Sequence, residues 1–167
     1  MNKWGNGLWH VLYIIAKNLK TTFSNLEKKL LEMFFKSIQG ILPCATCRND
    51  YNQYVTSNPP IFDNKEMVIE WLFCLDNKIK GGILDKMDRL NTMEDTLNKS
   101  RFSLLLCDLS SYYYLNAIHA ESIYIFLVYC SILLPDKEYN LKLRRILDCD
   151  VFTKKTLDVV IKICNVE

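Results

Sequence analysis

Glycine and proline are scarce, at 5 and 4 of 167 residues, which argues against a loop-rich β fold and for helices. Charge of one sign is missing too. With 21 Lys+Arg against 19 Asp+Glu the chain carries only +2, which removes the electrostatic case for a nucleic-acid partner. No long apolar run occurs: the longest, 122–134, is about 13 residues where a bilayer-spanning helix needs about 20, so no membrane span is expected. The N-terminal stretch mixes aromatic and polar groups and lacks a small-residue cleavage site, so no secretion signal is expected. What the chain has in quantity is apolar residues, 50%, and aromatic ones, 12%, enough to bury a core and too many for a disordered chain. Lys, Ile and Asn far outnumber Arg and Ala, a bias of AT-rich coding rather than of any fold.

Helix punctuation is clear in the first half. Ser24 with Glu27, and Asp63 with Glu66, have capping-box spacing ahead of apolar-periodic runs and predict two helix starts. The first run places Leu26, Leu30, Met33, Phe34 and Ile38 on one face, with Gly40 positioned for a left-handed cap; the second extends to Gly81-Gly82. Leu8, Trp9, Leu12, Ile15 and Ala16 predict an earlier helix. Pro43, as a first-turn residue, opens another through Cys47, Tyr51 and Tyr54 to the break at Asn58-Pro59-Pro60. Past the charged stretch 85–99, helical runs are expected near 102–117, 121–134, 137–148 and 153–164. The expected fold is all-α: a four-helix bundle over residues 1–84, a connecting segment over 85–99 and a helical C-terminal region over 100–167. Direct packing of the second half on the first stays open.

The chain has 7 cysteines, an odd number, so one at least is unpaired within it. Cys44-Ala45-Thr46-Cys47, entering a predicted helix, is the one constellation with chemical content. Two cysteines three apart on a first helical turn can close a short disulfide. The helix N-terminus also stabilises a thiolate there, lowering its pKa and priming exchange. A structural zinc site needs four ligands, and Cys74, Cys107, Cys130, Cys149, Cys164, His10 and His119 contain no second close pair, so no metal is expected. A thioredoxin-like unit needs flanking strands, and none can be read. A CxxC that is merely packed stays open at this point, as does a flavin-free thiol exchanger. Cys74 is expected on a buried helix face as inert packing.

The CxxC lies between two aromatic clusters, Trp4-Gly5 with Trp9, Leu12 and Tyr13 before it and Trp71 through Lys80 after it. In this order the chain resembles the Erv/ALR family of FAD-dependent sulfhydryl oxidases, most of all single-domain members from large DNA viruses, over residues 4 to about 84. The family pattern runs from a WG/W segment ending in Leu-His, through Pro-Cys-x-x-Cys on a helix, to a Trp followed by His-Asn-x-Val-Asn. The resemblance implies that Cys44 and Cys47 are the redox-active pair, with Cys47 nearest the flavin and Cys44 facing incoming thiols. It also implies that Trp4, Trp9, Tyr13, Trp71, Asp76, Asn77 and Lys80 stand where the family binds its cofactor. Tyr13 and Asp76 replace two histidines of the pattern, Lys80 replaces its last Asn, and Ile79 stands for its Val.

The implied function is oxidation of dithiols to disulfides, with electrons passing through the CxxC and FAD to oxygen to give hydrogen peroxide. The implied partners are a protein dithiol substrate or a small thiol relay protein. A homodimer is implied as well, through the apolar faces of Leu8–Ala16 and Leu26–Ile38, and a virion or host-cytoplasm location for a viral member. The alternative is a redox-inactive helical adaptor that has lost efficient FAD binding, which the three departures favour. A carboxylate beside a pyrophosphate repels it, so Asp76 is expected to loosen the nucleotide and Asp76→His to tighten it. Lys78, Lys80 and Lys86 are the cations placed to meet a pyrophosphate. The need for a flavin also stands without the family, because thiols react slowly with triplet oxygen and a dithiol that uses it needs an organic mediator. Residues 85–167 show no cofactor-like pattern and are expected to serve partner binding, dimer support or substrate delivery.

Overall fold

The computed structural model describes residues 3–80, 88, 91, 94–114 and 120–164, with their side chains except at 3, 4, 80, 113, 114 and 164. Among these residues the fold is all-α, with no strand beyond an isolated bridge between Thr22 and Asn64. The first half holds α1 (Lys3–Asn18), α2 (Asn25–Ser37) running into a 3-10 turn (Ile38–Ile41), α3 (Ala45–Ser57) and α4 (Lys65–Lys80). The second holds α5 (Lys99–Tyr114), α6 (Ala120–Leu133), α7 (Lys137–Leu147) and α8 (Lys154–Cys164).

The capping box at α2 is present in full, Ser24 accepting from the Glu27 amide while the Glu27 carboxylate accepts from the Ser24 amide. That carboxylate, also bonded by Lys20, is held at a pKa of about 2 by its hydrogen bonds to Lys20 and Ser24. At α4 the cap is one residue later than expected: the Asn64 side chain, not Asp63, accepts from the Met67 amide at 3.0 Å. At α3 the N-cap is Cys44, so Pro43 lies just outside the helix rather than in its first turn. Gly40 is no left-handed cap. It lies inside the 3-10 turn, where a Cβ would come within 2.7 Å of Ser122 Oγ on α6, so glycine is needed for close approach. Gly81 and Gly82, expected to end α4, lie outside the described residues.

The core explains the order of the helices. In α1 every residue from His10 to Ala16 is buried. Because successive helical positions turn by about 100°, seven in a row cover the whole circumference, so α1 must be enclosed on all sides. α4 covers one side and α5 another. α2 is likewise held between two layers, Phe35 packing on Phe62 and Trp71 at 5.4 and 5.0 Å, and Phe34 on Phe126 and Tyr129 of α6 at 6.1 and 6.2 Å. Within the chain, α4, α5 and α6 cover residues 11–16 of α1 and Phe34 of α2, whereas Leu26 and Met33 of α2 remain exposed.

Candidate functional site

The loop into α3 is fixed from both sides. The Arg48 guanidinium donates to Leu42 O at 2.7 Å, and the Cys47 amide donates to Cys44 Sγ at 3.0 Å. This puts both cysteines at a helix start, where partial positive charge and unpaired N–H groups gather. They form a disulfide with Cα atoms 5.2 Å apart. The two sulfurs differ in environment: Cys44 is exposed, whereas Cys47 is half-buried and packs against the core.

Cys47 lies on the wall of a cleft of about 300 Å³. α1 supplies Leu8, Trp9 and Leu12 to it, α3 supplies Asp50, Tyr51 and Tyr54, and α4 supplies Leu75, Lys78 and Ile79. The walls are mainly apolar or aromatic, with Asp50 and Gln53 as further polar groups and Lys78 as the cation; its Nζ stands 5.5 Å from the centre of the Tyr54 ring. Tyr54 donates to Trp71 O at 3.2 Å, and its pKa is pushed up to about 12, first by burial and then by Cys74 and Glu70. Tyr51 donates to Phe35 O at 2.7 Å and burial raises it well above the usual range. Both rings are thus neutral donors locked to backbone carbonyls, and they form a rigid floor. A second cleft of about 810 Å³, between α2 and α6–α7, is more open and contains neither cysteine of the pair.

The sequence-derived residues divide into groups. Trp9 and Cys47 line the cleft. Tyr13 lies one turn beyond Trp9, their rings 6.0 Å apart, and its hydroxyl donates to Asp76 Oδ2 at 3.2 Å in the core between α1 and α4. Asp76 is 0% exposed and does not line the cleft, so it occupies the place of a core residue. Trp71 stands one ring behind the cleft, packed on Tyr54 at 5.4 Å with its indole donating to Asn58 O at 2.8 Å. Asn77 is half-buried on α4. The side chains of Trp4 and Lys80, and all of Lys86, lie outside the described residues. Cys74, expected in the core, is exposed, its thiol 3.7 Å from Glu70 Oε1. Among the described side chains the buried free thiol is Cys130 on α6, whose pKa burial drives far up and which is therefore inert.

Sequence reasoning named Lys78 as a cation for a pyrophosphate, passed over Asp50 as a cleft residue and read Tyr51 and Tyr54 only as helix periodicity. The signal was present: positions 50, 51 and 54 follow Cys47 at helical spacings of three, four and seven, which put them on its face. Among the described residues, no group of three His, Cys, Asp or Glu side chains could hold a metal ion, and no helix is long and apolar enough to cross a membrane.

Comparison with known proteins gives a consistent picture. The Erv1 / Alr family profile matches residues 6–103. The mitochondrial FAD-linked sulfhydryl oxidase ERV1 of Saccharomyces cerevisiae is 24% identical over 75 residues, 45% of this chain and 40% of that protein. An FAD-linked sulfhydryl oxidase of African swine fever virus, isolate Tick/Malawi/Lil 20-1/1983, is 29% identical over 87 residues, 52% of this chain and 73% of its own. That of isolate Pig/Kenya/KEN-50/1950 is 26% identical over the same length. The chain thus matches less than half of the yeast protein and nearly three quarters of the viral ones. No solved structure gives a significant match.

Proposed function

The chain belongs to the Erv1/Alr family, and from that premise we propose that it is a flavin-linked thiol oxidase that introduces disulfide bonds into protein substrates. The observation that carries this reading is the two-sidedness of one disulfide, with Cys44 open to solvent and Cys47 on the wall of an aromatic cleft. An enzyme that takes electrons from a macromolecule and gives them to an enclosed cofactor needs that arrangement.

The cleft suits a flavin. Its volume of about 300 Å³ falls at the lower end of small-molecule sites, about 300–1,000 Å³. Trp9, Leu12, Leu75 and Ile79 offer faces to a ring system, and Lys78 a cation to a phosphate. Trp4, Asn77 and Lys80 are proposed as further contacts on the family pattern. Bound there, FAD supplies the two-electron transfer from a dithiol to oxygen that thiols alone make slowly.

The remaining steps belong to the chain. A substrate thiolate attacks the exposed Cys44 sulfur, forming a mixed disulfide and releasing Cys47 as a thiolate toward the cleft. The substrate's second thiolate then attacks its own sulfur in the mixed disulfide, expels Cys44 and leaves as the disulfide. Two electrons have passed to the CxxC, which is left as two thiolates, the substrate's two protons having gone to solvent when its thiols ionised. The Cys47 amide, which meets Cys44 Sγ at 3.0 Å, stabilises the Cys44 thiolate as it departs. Oxygen is the proposed final acceptor and hydrogen peroxide the product. The donor is a protein dithiol or a small thiol relay protein. We place this chemistry in residues 1–84. The adaptor alternative rested partly on Tyr13 and Asp76, and their mutual hydrogen bond gives both a structural reason that needs no decayed site.

Oxygen uptake with dithiothreitol tests the proposal. The full chain should consume oxygen, and Cys44→Ser and Cys47→Ser should each reduce the rate by about 100-fold or more while the fold persists, because the two sulfurs act as a unit. Undiminished uptake in either variant would remove the CxxC from the reaction.

A further inference from the structure

The second cleft, of about 810 Å³, opens between the start of α2 and the corner where α6 turns into α7. Phe23 and Leu30 line it on the α2 side, and Ile132, Pro135 and Leu141 on the other. Ile132 and Leu141 are 43% and 49% exposed, so together these residues make an apolar floor open to solvent. The α6–α7 wall lies beyond residues 6–103, the part matched by the family, and is this chain's own addition.

Three groups on that wall have bonding capacity to spare. Asn140 is 6% exposed; its amide nitrogen donates to Leu134 O at 2.6 Å, while its Oδ1 accepts from no group. Buried acceptors are seldom left so, and a ligand N–H entering the cleft would satisfy this one. Lys137 and Arg144 stand three positions before and four after Asn140, on the same face of α7, and neither makes an ion pair among the described residues. The Arg144 Nε donates to Ser131 O at 3.1 Å, which fixes the side chain and leaves its terminal nitrogens for a carboxylate. Lys20, on the opposite side, is already paired with Glu27 at 2.6 Å, so the unmatched charge of the cleft is the pair on α7.

We propose that this cleft docks an extended segment of a partner protein in which apolar and acidic residues alternate. In an extended chain successive side chains point to opposite sides. One set then covers the apolar floor, the other reaches Lys137 and Arg144 at the rim, and a backbone N–H meets Asn140. A fatty acid would supply an apolar tail and a carboxylate but no donor for Asn140, which decides for a peptide. The cleft contains neither Cys44 nor Cys47, and the inference holds whether or not the other cleft binds flavin.

Fluorescence anisotropy of a labelled peptide of alternating leucine and glutamate, titrated with the full chain, tests the proposal, with a leucine–lysine peptide as control. The acidic peptide should bind and the basic one should not. Lys137→Glu should weaken binding by about 5-fold or more, since an attraction at the rim becomes a repulsion. Lys137 is the first residue of α7, where an acidic side chain suits the helix N-terminus, so this variant should fold as well as the wild type. Ile132→Asn, on the exposed floor, should weaken binding as well. Lys142→Glu makes the same change in net charge outside the cleft, at a lysine paired with Glu138 at 2.8 Å, and should leave binding unchanged. No binding of the acidic peptide, equal binding of both peptides, or an affinity that Lys137→Glu and Ile132→Asn leave intact would overturn the proposal. Displacement by dodecanoate at lower concentration than by unlabelled peptide would make the cleft a fatty-acid site instead. An affinity that falls as the protein concentration rises would make the occupant a second copy of the chain, and either result contradicts a partner peptide.

Discussion

At the scale of single residues, the Tyr13–Asp76 pair alters what the family comparison implied for both positions. A carboxylate 0% exposed and bonded by a tyrosine hydroxyl at 3.2 Å braces α1 against α4. Tyr13→Phe keeps the ring against Trp9 and removes only the donor. It should cost about 1–3 kcal/mol in urea unfolding, the usual penalty when a buried polar group loses its hydrogen bond. Asp76→His, expected from the sequence to tighten FAD, should instead lower the melting temperature and weaken flavin retention on dialysis, because an imidazole has no space in a filled core. Tighter retention would show that Asp76 does meet the nucleotide. The CxxC was legible because its chemistry depends on spacing alone. The burial of Asp76 was not, since a charged residue reads as surface until its partner, 63 positions away, is known. Cys74 failed for a simpler reason: the buried face of α4 runs Val68, Trp71, Leu72, Leu75, and position 74 falls off that stripe.

Single elements carry two further predictions. The 3-10 turn after α2 approaches α6 so closely at Gly40 that a methyl group would meet Ser122 Oγ at 2.7 Å and Cβ at 2.9 Å. Gly40→Ala should destabilise by about 1–3 kcal/mol, as overpacked sites do. Ser122→Gly in the same chain should recover part of that loss, the coupling expected of two residues in contact. The start of α5 depends on His10, which must be neutral at Nε2 to accept from Asn98. Burial, aided by Arg101 and opposed by Glu94, lowers its pKa below 6.5. A depressed folded pKa means that the unfolded chain binds the proton first, so stability is full above about 6.5 and falls as the pH drops toward the folded value. Chemical denaturation across that range should show the fall, and His10→Gln, which keeps an acceptor without titrating, should flatten it. The helices themselves were legible from apolar periodicity to within a few residues, and Ser24 with Glu27 from their spacing. Gly40 was misread because a glycine after a helix suggests a cap, while its real constraint comes from a residue 82 positions later in the chain.

For the whole molecule, the sequence suggested a bundle with an appendage, and the structure shows one core shared by both halves. The clue lay in Val11-Leu12-Tyr13-Ile14-Ile15-Ala16, six apolar residues without a polar break, which no one-sided bundle helix needs. Reading a single stripe from that run gives a one-sided helix; reading all six requires a neighbour on every side. The family match itself continues to residue 103, into α5. Function rests on a smaller part of this architecture, the point where an exposed and a half-buried sulfur meet at the mouth of an aromatic cleft. Its central claim is that the CxxC reduces a flavin held there. The visible absorption spectrum of the purified full chain, recorded anaerobically before and after addition of dithiothreitol, tests it most directly. A flavin spectrum that bleaches in the wild type and returns on admitting air is the predicted result. A colourless protein, or a bound flavin that dithiothreitol leaves oxidised, would contradict it.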